Sequence, residues 1–479
     1  MKLRQKIVQG FTWITLGELF SHALQLLSTI ILARILLPEN FGTIATAYIY
    51  IKLMQTIHQS LGLSEAIVQL DTGEDDISTA FLTYAAAGLL LSVITIILAP
   101  LVAAFFHNHL LSLILRVLSP IFLIDSLSYI FEALINKKLE YKRAAIPQLG
   151  GIIAYGLVGV ILAFLNCGVW SLVWALLFKS LIRCFAGLRL CHWKPFFSFK
   201  IDELKKMVSF GKNTFGTGLF YYINENLDYL VIGKFLGALS LGYYFLAFSI
   251  THYFNDYIAP IFFKVLFPFL SRIHNEDNLL KEIYLKTVQS AALLSFPLYL
   301  VICINAKEFV YLIFGEKWLT TVLLLQILCI RGLLKSLYRG VTKAVVYAKG
   351  RPDISFQWAV SYCIVNCIFI LLGLRYGIVG VAAAVTISEI ICSPIIILKT
   401  GGLIGIAPKT YLKNIMPIVA ATTIMVLLLV SLNTLFPEKM EYLVLKMVSV
   451  TVIYILGLKI MGINMWEKAK VFYKLAQNT

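Results

Sequence analysis

The chain has 479 residues, of which 59% are hydrophobic and only 14% are charged. A typical soluble protein has about 25% charged residues, so this composition excludes a soluble domain and a single-span anchor. In a membrane protein, the formal net charge of +16 is interpreted through the positive-inside rule and not as a sign of nucleic-acid binding.

Apolar segments long enough to cross a bilayer recur along the whole chain. A helix needs roughly 20 apolar residues to cross the hydrocarbon, and lipid-exposed backbone is satisfied only in helices or closed barrels. The apolar runs are too long for barrel strands of about 10 alternating residues. We therefore predict an all-α polytopic membrane protein with fourteen spans, near 11–36, 42–68, 79–104, 110–135, 146–166, 169–190, 211–233, 241–263, 285–305, 320–340, 354–374, 377–398, 412–433 and 442–462.

The distribution of Lys and Arg between the predicted loops fixes an orientation. Assigning the loops to alternate sides of the membrane places 27 of these residues on one side and 6 on the other. By the positive-inside rule, the richer side is cytoplasmic. The sequence thus predicts a multi-pass protein of the bacterial inner (plasma) membrane with both termini in the cytoplasm.

An internal repeat divides the first twelve predicted spans into two sets of six. The segment Ala33–Leu36, followed by Gly42, corresponds to Gly233–Leu236, followed by Gly242, at an offset of 200 residues. Duplicated sets of helices are frequent in transporters, with the substrate site between them. The predicted domains are an amino-terminal six-helix lobe at 1–205, a second six-helix lobe at 206–400, and two further helices with a cytoplasmic tail at 401–479.

Three segments resemble a known family: LARILLPENFG at 32–42, LGLSEAIVQ at 61–69 and DISTAF at 76–81. They are similar to Wzx-type polysaccharide flippases of the multidrug/oligosaccharidyl-lipid/polysaccharide exporter superfamily, in the branch of colanic and teichuronic acid exporters. The resemblance implies two six-helix lobes around a central cavity and alternating access between the membrane faces. It also implies an oligosaccharide on an undecaprenyl diphosphate carrier as substrate, and a transporter that is not an enzyme.

The same resemblance sets the expected partners and pathway. The lipid-linked oligosaccharide and membrane lipids are the expected ligands, with a polysaccharide polymerase and glycosyltransferases as neighbours. The product would serve capsule, exopolysaccharide or O-antigen biosynthesis. We expect no catalytic residue, metal, cofactor or nucleic acid, and we expect transport to be coupled to a proton or sodium gradient.

Five basic residues within predicted spans are candidate substrate contacts. Charges inside a membrane are costly and usually face a cavity, a partner or the interface. Arg331 and Lys335 are four residues apart and share a helix face. Lys52 lies too deep to reach the headgroups easily, whereas Arg116 has pairing with an acidic residue as an alternative. The candidate substrate-binding cations are Lys52, Arg116, Lys179, Arg331 and Lys335.

Carboxylates within the spans are candidates for coupling transport to an ion gradient. They can carry protons, bind sodium or neutralise the basic residues, and structural ion pairs are the alternative role. The candidates are Glu18, Asp125, Glu225, Asp228 and Asp256.

Alternative functions differ in the charges and loops that each would need. A drug exporter for organic cations would favour an acidic cavity, whereas the excess charge within these spans is basic. A lipid II flippase is the closest competing interpretation. A glycan polymerase or ligase would need a substantial outer loop with catalytic residues, and every predicted outer loop is short.

Overall fold

In the described part of the computed structural model, every element of regular secondary structure is a helix, which confirms the predicted all-α class. The chain divides into two compact units, Met1–Gly242 and Tyr243–Thr479. The predicted lobe boundaries near 205 and 400 stay predictions. The structure describes residues 2–69, 72–138, 140–191, 193–253, 255, 259–273, 276–435, 449 and 452–459.

The first unit is built from long helices packed side by side. Helix α7 packs on α8 and α1, α4 packs on α6, and α2 packs on α9. The helices are α1 (Lys2–Ile35), α2 (Pro38–Gln59), α3 (Leu63–Gln69), α4 (Glu74–Phe105), α5 (His109–Leu118), α6 (Pro120–Lys137), α7 (Tyr141–Phe164), α8 (Val169–Leu190) and α9 (Ile201–Phe235), followed by α10 (Gly237–Tyr253), whose first residues belong to this unit.

Local sequence signals set several helix starts in the first unit. Pro38 is the first residue of α2, where its missing N–H costs no helical hydrogen bond. The side chain of Asn108 accepts a hydrogen bond from Leu110 N and so caps α5. Gly168 precedes α8 with φ of 56°, a backbone conformation that favours glycine.

Between residues 259 and 435, the described part of the second unit contains eight further α-helices. Helix α17 packs on α14 and α16, and α12 packs on α14 and α18. They are α11 (Ala259–Arg272), α12 (Asp277–Ile304), α13 (Ala306–Phe314), α14 (Thr321–Ser336), α15 (Val341–Ala348), α16 (Pro352–Gly373), α17 (Gly377–Leu403) and α18 (Pro408–Leu435). Residues 452–459 are also helical.

Helix α4 shows how these helices suit a lipid environment. Its buried face carries small or weakly polar residues, among them Gly88, Ser92 and Ala99, whereas Leu90 and Ile97 are exposed. Small residues at helix contacts allow close packing, and large apolar residues fit the hydrocarbon. The distribution of residues is therefore that of a helix with lipid on its outer face.

The described helices overlap the first thirteen predicted spans. Eight segments of the described chain are long and apolar enough to cross a membrane, and one of them, Pro352–Leu403, contains both α16 and α17. Most of the fourteenth predicted span, 442–462, lies outside the described residues. The count of fourteen crossings therefore stays a prediction.

Candidate functional site

Three basic side chains come together on the first unit. Lys52 lies on α2, and Lys179 and Arg183 lie one turn apart on the adjacent helix α8. Electrostatic interactions connect Lys52 with Arg183 and Lys179 with Lys52. We call these three residues the basic cluster. Lys52 is exposed and the other two are partly buried, so the positive charge lies at a surface of the unit.

The guanidinium of Arg183 is held by a carboxylate on α6. Its Nε donates to Glu132 Oε1 at 2.5 Å and its Nη2 donates to Glu132 Oε2 at 2.6 Å. The guanidinium carbon also lies 5.6 Å from the centre of the Tyr129 ring. Such a bidentate pair fixes the orientation of the guanidinium plane. Arg183 therefore forms the rigid edge of the basic cluster.

A second carboxylate of α6 lies beside the other two cations. Asp125 is buried, and its Oδ2 accepts a hydrogen bond from Gln55 Nε2 at 2.8 Å. Asp125 interacts electrostatically with Lys52, Lys179 and Arg183.

With Glu132, two carboxylates face the three cations of the basic cluster, which leaves a net positive charge. A surface of this kind can bind the oxygens of a phosphate or diphosphate through charge-assisted hydrogen bonds.

The strip of basic residues predicted on the tenth span lies in the core of the second unit. Only 1% of Arg331 and 6% of Lys335 is exposed. Arg331 Nε lies 4.0 Å from Oε2 of Glu389 on α17, and its guanidinium carbon lies 5.5 Å from the centre of the Phe248 ring. Both side chains lie away from the surface. Their role as substrate contacts stays a prediction.

Two tyrosines complete the surroundings of Glu389. Tyr338 Oη donates to Oε1 at 2.7 Å, and Tyr362 Oη donates to Oε2 at 3.0 Å. Glu389 is fully buried, and a buried carboxylate is costly unless hydrogen bonds and a counter-charge compensate it. We call Arg331, Tyr338, Tyr362 and Glu389 the buried network.

The structure separates the candidate ion-coupling carboxylates. Asp125 lies beside the basic cluster, whereas Glu225 and Asp228 lie on α9. Asp228 is buried, and its Oδ1 accepts a hydrogen bond from the N–H of Tyr229 at 2.9 Å. The side chain of Glu18 and the whole of Asp256 lie outside the described residues. Asp125 is thus the candidate for which the structure shows an interaction with two of the candidate substrate-binding cations, Lys52 and Lys179.

Arg116 lies apart from these arrangements. It is exposed near the end of α5, and among the described residues no ion pair joins it to Asp125, which is bound instead by Gln55. Within the same described part, no group of three or more His, Cys, Asp or Glu residues could hold a metal ion.

Comparison with known proteins places the chain in a family. The model of the polysaccharide biosynthesis protein family matches residues 31–323, which is more than half of the chain. The chain belongs to this family. An uncharacterised membrane protein in the cps region of Klebsiella pneumoniae is 30% identical over 365 residues, which are 75% of this chain and 74% of that protein.

Two further similarities extend the comparison. The lipopolysaccharide biosynthesis protein WzxC of Escherichia coli (strain K12) is 26% identical over 402 residues, which are 82% of this chain and 80% of that protein. The solved structure of the lipid II flippase MurJ, in an inward closed conformation, matches with a TM-score of 0.78 and 17% identity. The match covers 94% of this chain and 98% of that chain. This polysaccharide biosynthesis family member therefore has a MurJ-like transporter fold.

Some residues of these arrangements had no assigned role in the sequence analysis. Gln55 and Gln59 follow Lys52 at intervals of three and seven residues, which places all three on one helix face. Gln59 donates to Tyr129 Oη at 2.8 Å. This polar stripe on an apolar helix was a usable signal. The sequence contains no comparable signal for the pairing of Glu389 with two tyrosines, because that pairing depends on how α14, α16 and α17 pack.

Proposed function

We propose that the protein moves undecaprenyl-diphosphate-linked oligosaccharide repeat units from the cytoplasmic to the outer face of the inner membrane. The movement would occur by alternating access and would supply capsule, exopolysaccharide or O-antigen biosynthesis. Family membership and the transporter fold support the class of activity. One observation supports a diphosphate-linked substrate: the basic cluster lies on helices that are mostly apolar.

The chemistry of the substrate explains why such a cluster is needed. The prenyl tail stays in lipid during flipping, but the diphosphate and the sugars have to leave water. A diphosphate loses its hydration there, and fixed cations replace it. Lys52 and Lys179 supply ammonium groups, and Arg183 supplies a guanidinium that Glu132 holds in place.

We further propose that a proton or sodium gradient drives the cycle and that Asp125 is the coupling residue. Its carboxylate is buried beside Lys52 and Lys179. A proton or sodium ion on Asp125 would cancel its charge and leave the neighbouring ammonium groups to the diphosphate. Ion binding and substrate binding would thereby be linked at one place.

Accessibility of the substrate in cells tests this function. In a host strain that lacks the protein, the lipid-linked oligosaccharide should accumulate and stay protected from a membrane-impermeant oxidant added to spheroplasts. The wild-type protein should restore its oxidation. Equal oxidation in the deletion strain and in the complemented strain would overturn the proposal.

A further inference from the structure

A cavity of about 560 Å³ opens on the first unit. Its wall is formed where α2 begins, where α4 joins α5 and where α9 joins α10. Ligand pockets typically measure about 300–1,000 Å³, so this cavity has room for a small ligand. Its main side chains are Glu39, His107, Asn108, His109, Lys234 and Phe235.

The charges of the cavity balance. Glu39 supplies one carboxylate and Lys234 supplies one ammonium. The ammonium is already engaged, since its Nζ donates to Phe105 O at 2.6 Å and lies 4.2 Å from the centre of the Phe105 ring. The cavity therefore lacks the excess positive charge of the basic cluster, and a diphosphate has no preferred place in it.

The remaining polar groups match hydroxyl groups. A hydroxyl both donates and accepts hydrogen bonds; a carboxylate accepts them, and a neutral imidazole can do either. His107 and His109 are both exposed, and they flank Asn108, whose side chain fixes the turn by accepting from Leu110 N at 3.2 Å. Imidazoles and a carboxylate thus surround one opening.

An aromatic ring lies at the same opening. Phe235, the last residue of α9, is 59% exposed. The flat apolar face of a sugar ring packs well on an aromatic ring, while its hydroxyls bond to polar groups at the edge. An aromatic surface beside charge-balanced hydrogen-bonding groups is therefore suited to a neutral saccharide.

We propose that this cavity binds sugar residues of the transported oligosaccharide, an inference that rests on the function proposed above. Glu39 and Lys52 are thirteen residues apart on α2, about 20 Å along the helix axis, and Thr46, which also lines the cavity, lies about 9 Å from Lys52 along the same axis. The basic cluster would thus bind the diphosphate of the substrate, and the cavity would bind its sugars.

A tryptophan placed at the opening reports binding. The full-length F235W protein in lipid nanodiscs is titrated with the lipid-free repeat-unit oligosaccharide, released by mild acid from the lipid-linked pool of the host. Its fluorescence should change saturably. The control is L239W, because Leu239 is also exposed on the neighbouring helix but does not line the cavity; its fluorescence should stay constant.

Two further substitutions test the polar groups in the F235W background. His107 has φ of 52°, so His107→Gly removes the imidazole and keeps a backbone that glycine adopts readily. Together with Glu39→Gln, it should weaken oligosaccharide binding at least threefold. Inorganic pyrophosphate should not compete. Competition by pyrophosphate would reveal an anion site and overturn the saccharide assignment.

Transport by the wild-type protein, measured beside the binding titrations, separates this inference from the proposed function. If the wild-type protein flips lipid-linked oligosaccharide in proteoliposomes but F235W fluorescence does not respond to the oligosaccharide, the cavity is not a sugar site and the transport function stands. If the cavity binds the oligosaccharide and no flipping occurs, the saccharide site stands and the transport function fails. An equal response of L239W would also overturn the assignment.

Discussion

Gly42 and Gly242, which lie 200 residues apart, pack backbone against backbone where α2 and α10 begin. A Cβ atom on Gly42 would lie 1.6 Å from the carbonyl oxygen of Ala238 and 2.8 Å from the nitrogen of Gly242. A Cβ atom on Gly242 would lie 1.9 Å from the carbonyl oxygen of Pro38. Only glycine permits so close an approach of two helices. These are the two glycines that the internal repeat aligned in the sequence.

Gly42→Ala should destabilise the protein, because its methyl group would overlap backbone atoms that cannot rotate away. Forcing extra atoms into a packed contact costs about 1–3 kcal/mol, so the thermal unfolding temperature in detergent should fall. Gly402→Ala on α17 is the matched control, since a Cβ atom there meets no atom within 4 Å. The same loss of stability in both variants would contradict the close contact.

Substitutions in the buried network should show energetic coupling. Removing one member of a buried ion pair costs about 3–5 kcal/mol, so Glu389→Gln and Arg331→Met should each lower the unfolding temperature strongly. In the double variant no charge of the pair remains, and the loss should be smaller than the sum of the two single losses. Thermal melting of all four proteins provides the double-mutant cycle, and additive losses would show that the two side chains act independently.

Lys52→Ala should slow transport without affecting folding, because the side chain is exposed. A hydrogen bond to a charged group contributes about 1.5–3 kcal/mol, so loss of one diphosphate contact predicts a decrease of about tenfold or more. Lys52→Arg, which keeps the charge, should recover part of the activity. Lys413→Ala, at another exposed lysine, is the control. Flipping by Lys52→Ala at the wild-type rate and protein level would remove the basic cluster from the mechanism.

The segment that joins α8 to α9 is attached to the start of α4 through Ser78. The hydroxyl of Ser78 donates to Phe196 O and accepts from the N–H of Ser198 at 3.2 Å. Nearby, the Asp75 carboxylate raises the pKa of the Lys200 ammonium through a hydrogen bond and its charge.

Ser78→Ala should therefore release this segment and speed its cleavage by chymotrypsin. Phe197 is 95% exposed, and the nitrogen of the Phe197–Ser198 peptide bond is the one that Ser78 binds. Fragment masses over time give the rate of cleavage. Thr83→Ala is the control, since that hydroxyl bonds Thr79 O within α4. Equal rates in the two variants would show that Ser78 does not hold the segment.

The sequence predicted the long apolar helices well because hydropathy depends on the local run of residues. The predicted span 169–190 coincides with α8. Breaks within a span were not predicted: Pro120 begins a new helix after α5, although the apolar run continues through it. A proline changes the backbone without changing the hydropathy of its surroundings.

The candidate site was predicted less completely than the fold. Lys52 and Lys179 were identified as cations within apolar spans, but their electrostatic interaction with Asp125 depends on the packing of α2, α6 and α8. The burial of Arg331 was not foreseen either. Its position in an apolar helix did not reveal that only 1% of the residue is exposed. A charged side chain within a span needs a counter-charge or hydrogen bonds. Which of its neighbours it faces is decided by tertiary packing.

Transbilayer movement of a fluorescent undecaprenyl-diphosphate oligosaccharide in proteoliposomes tests the central claim most directly. The purified protein is reconstituted with and without a proton or sodium gradient, and a membrane-impermeant quencher reports the labelled sugar on the outer leaflet. We expect movement that depends on one of the gradients and is slowed by Lys52→Ala. No movement of the native oligosaccharide by correctly folded wild-type protein under either gradient would contradict it.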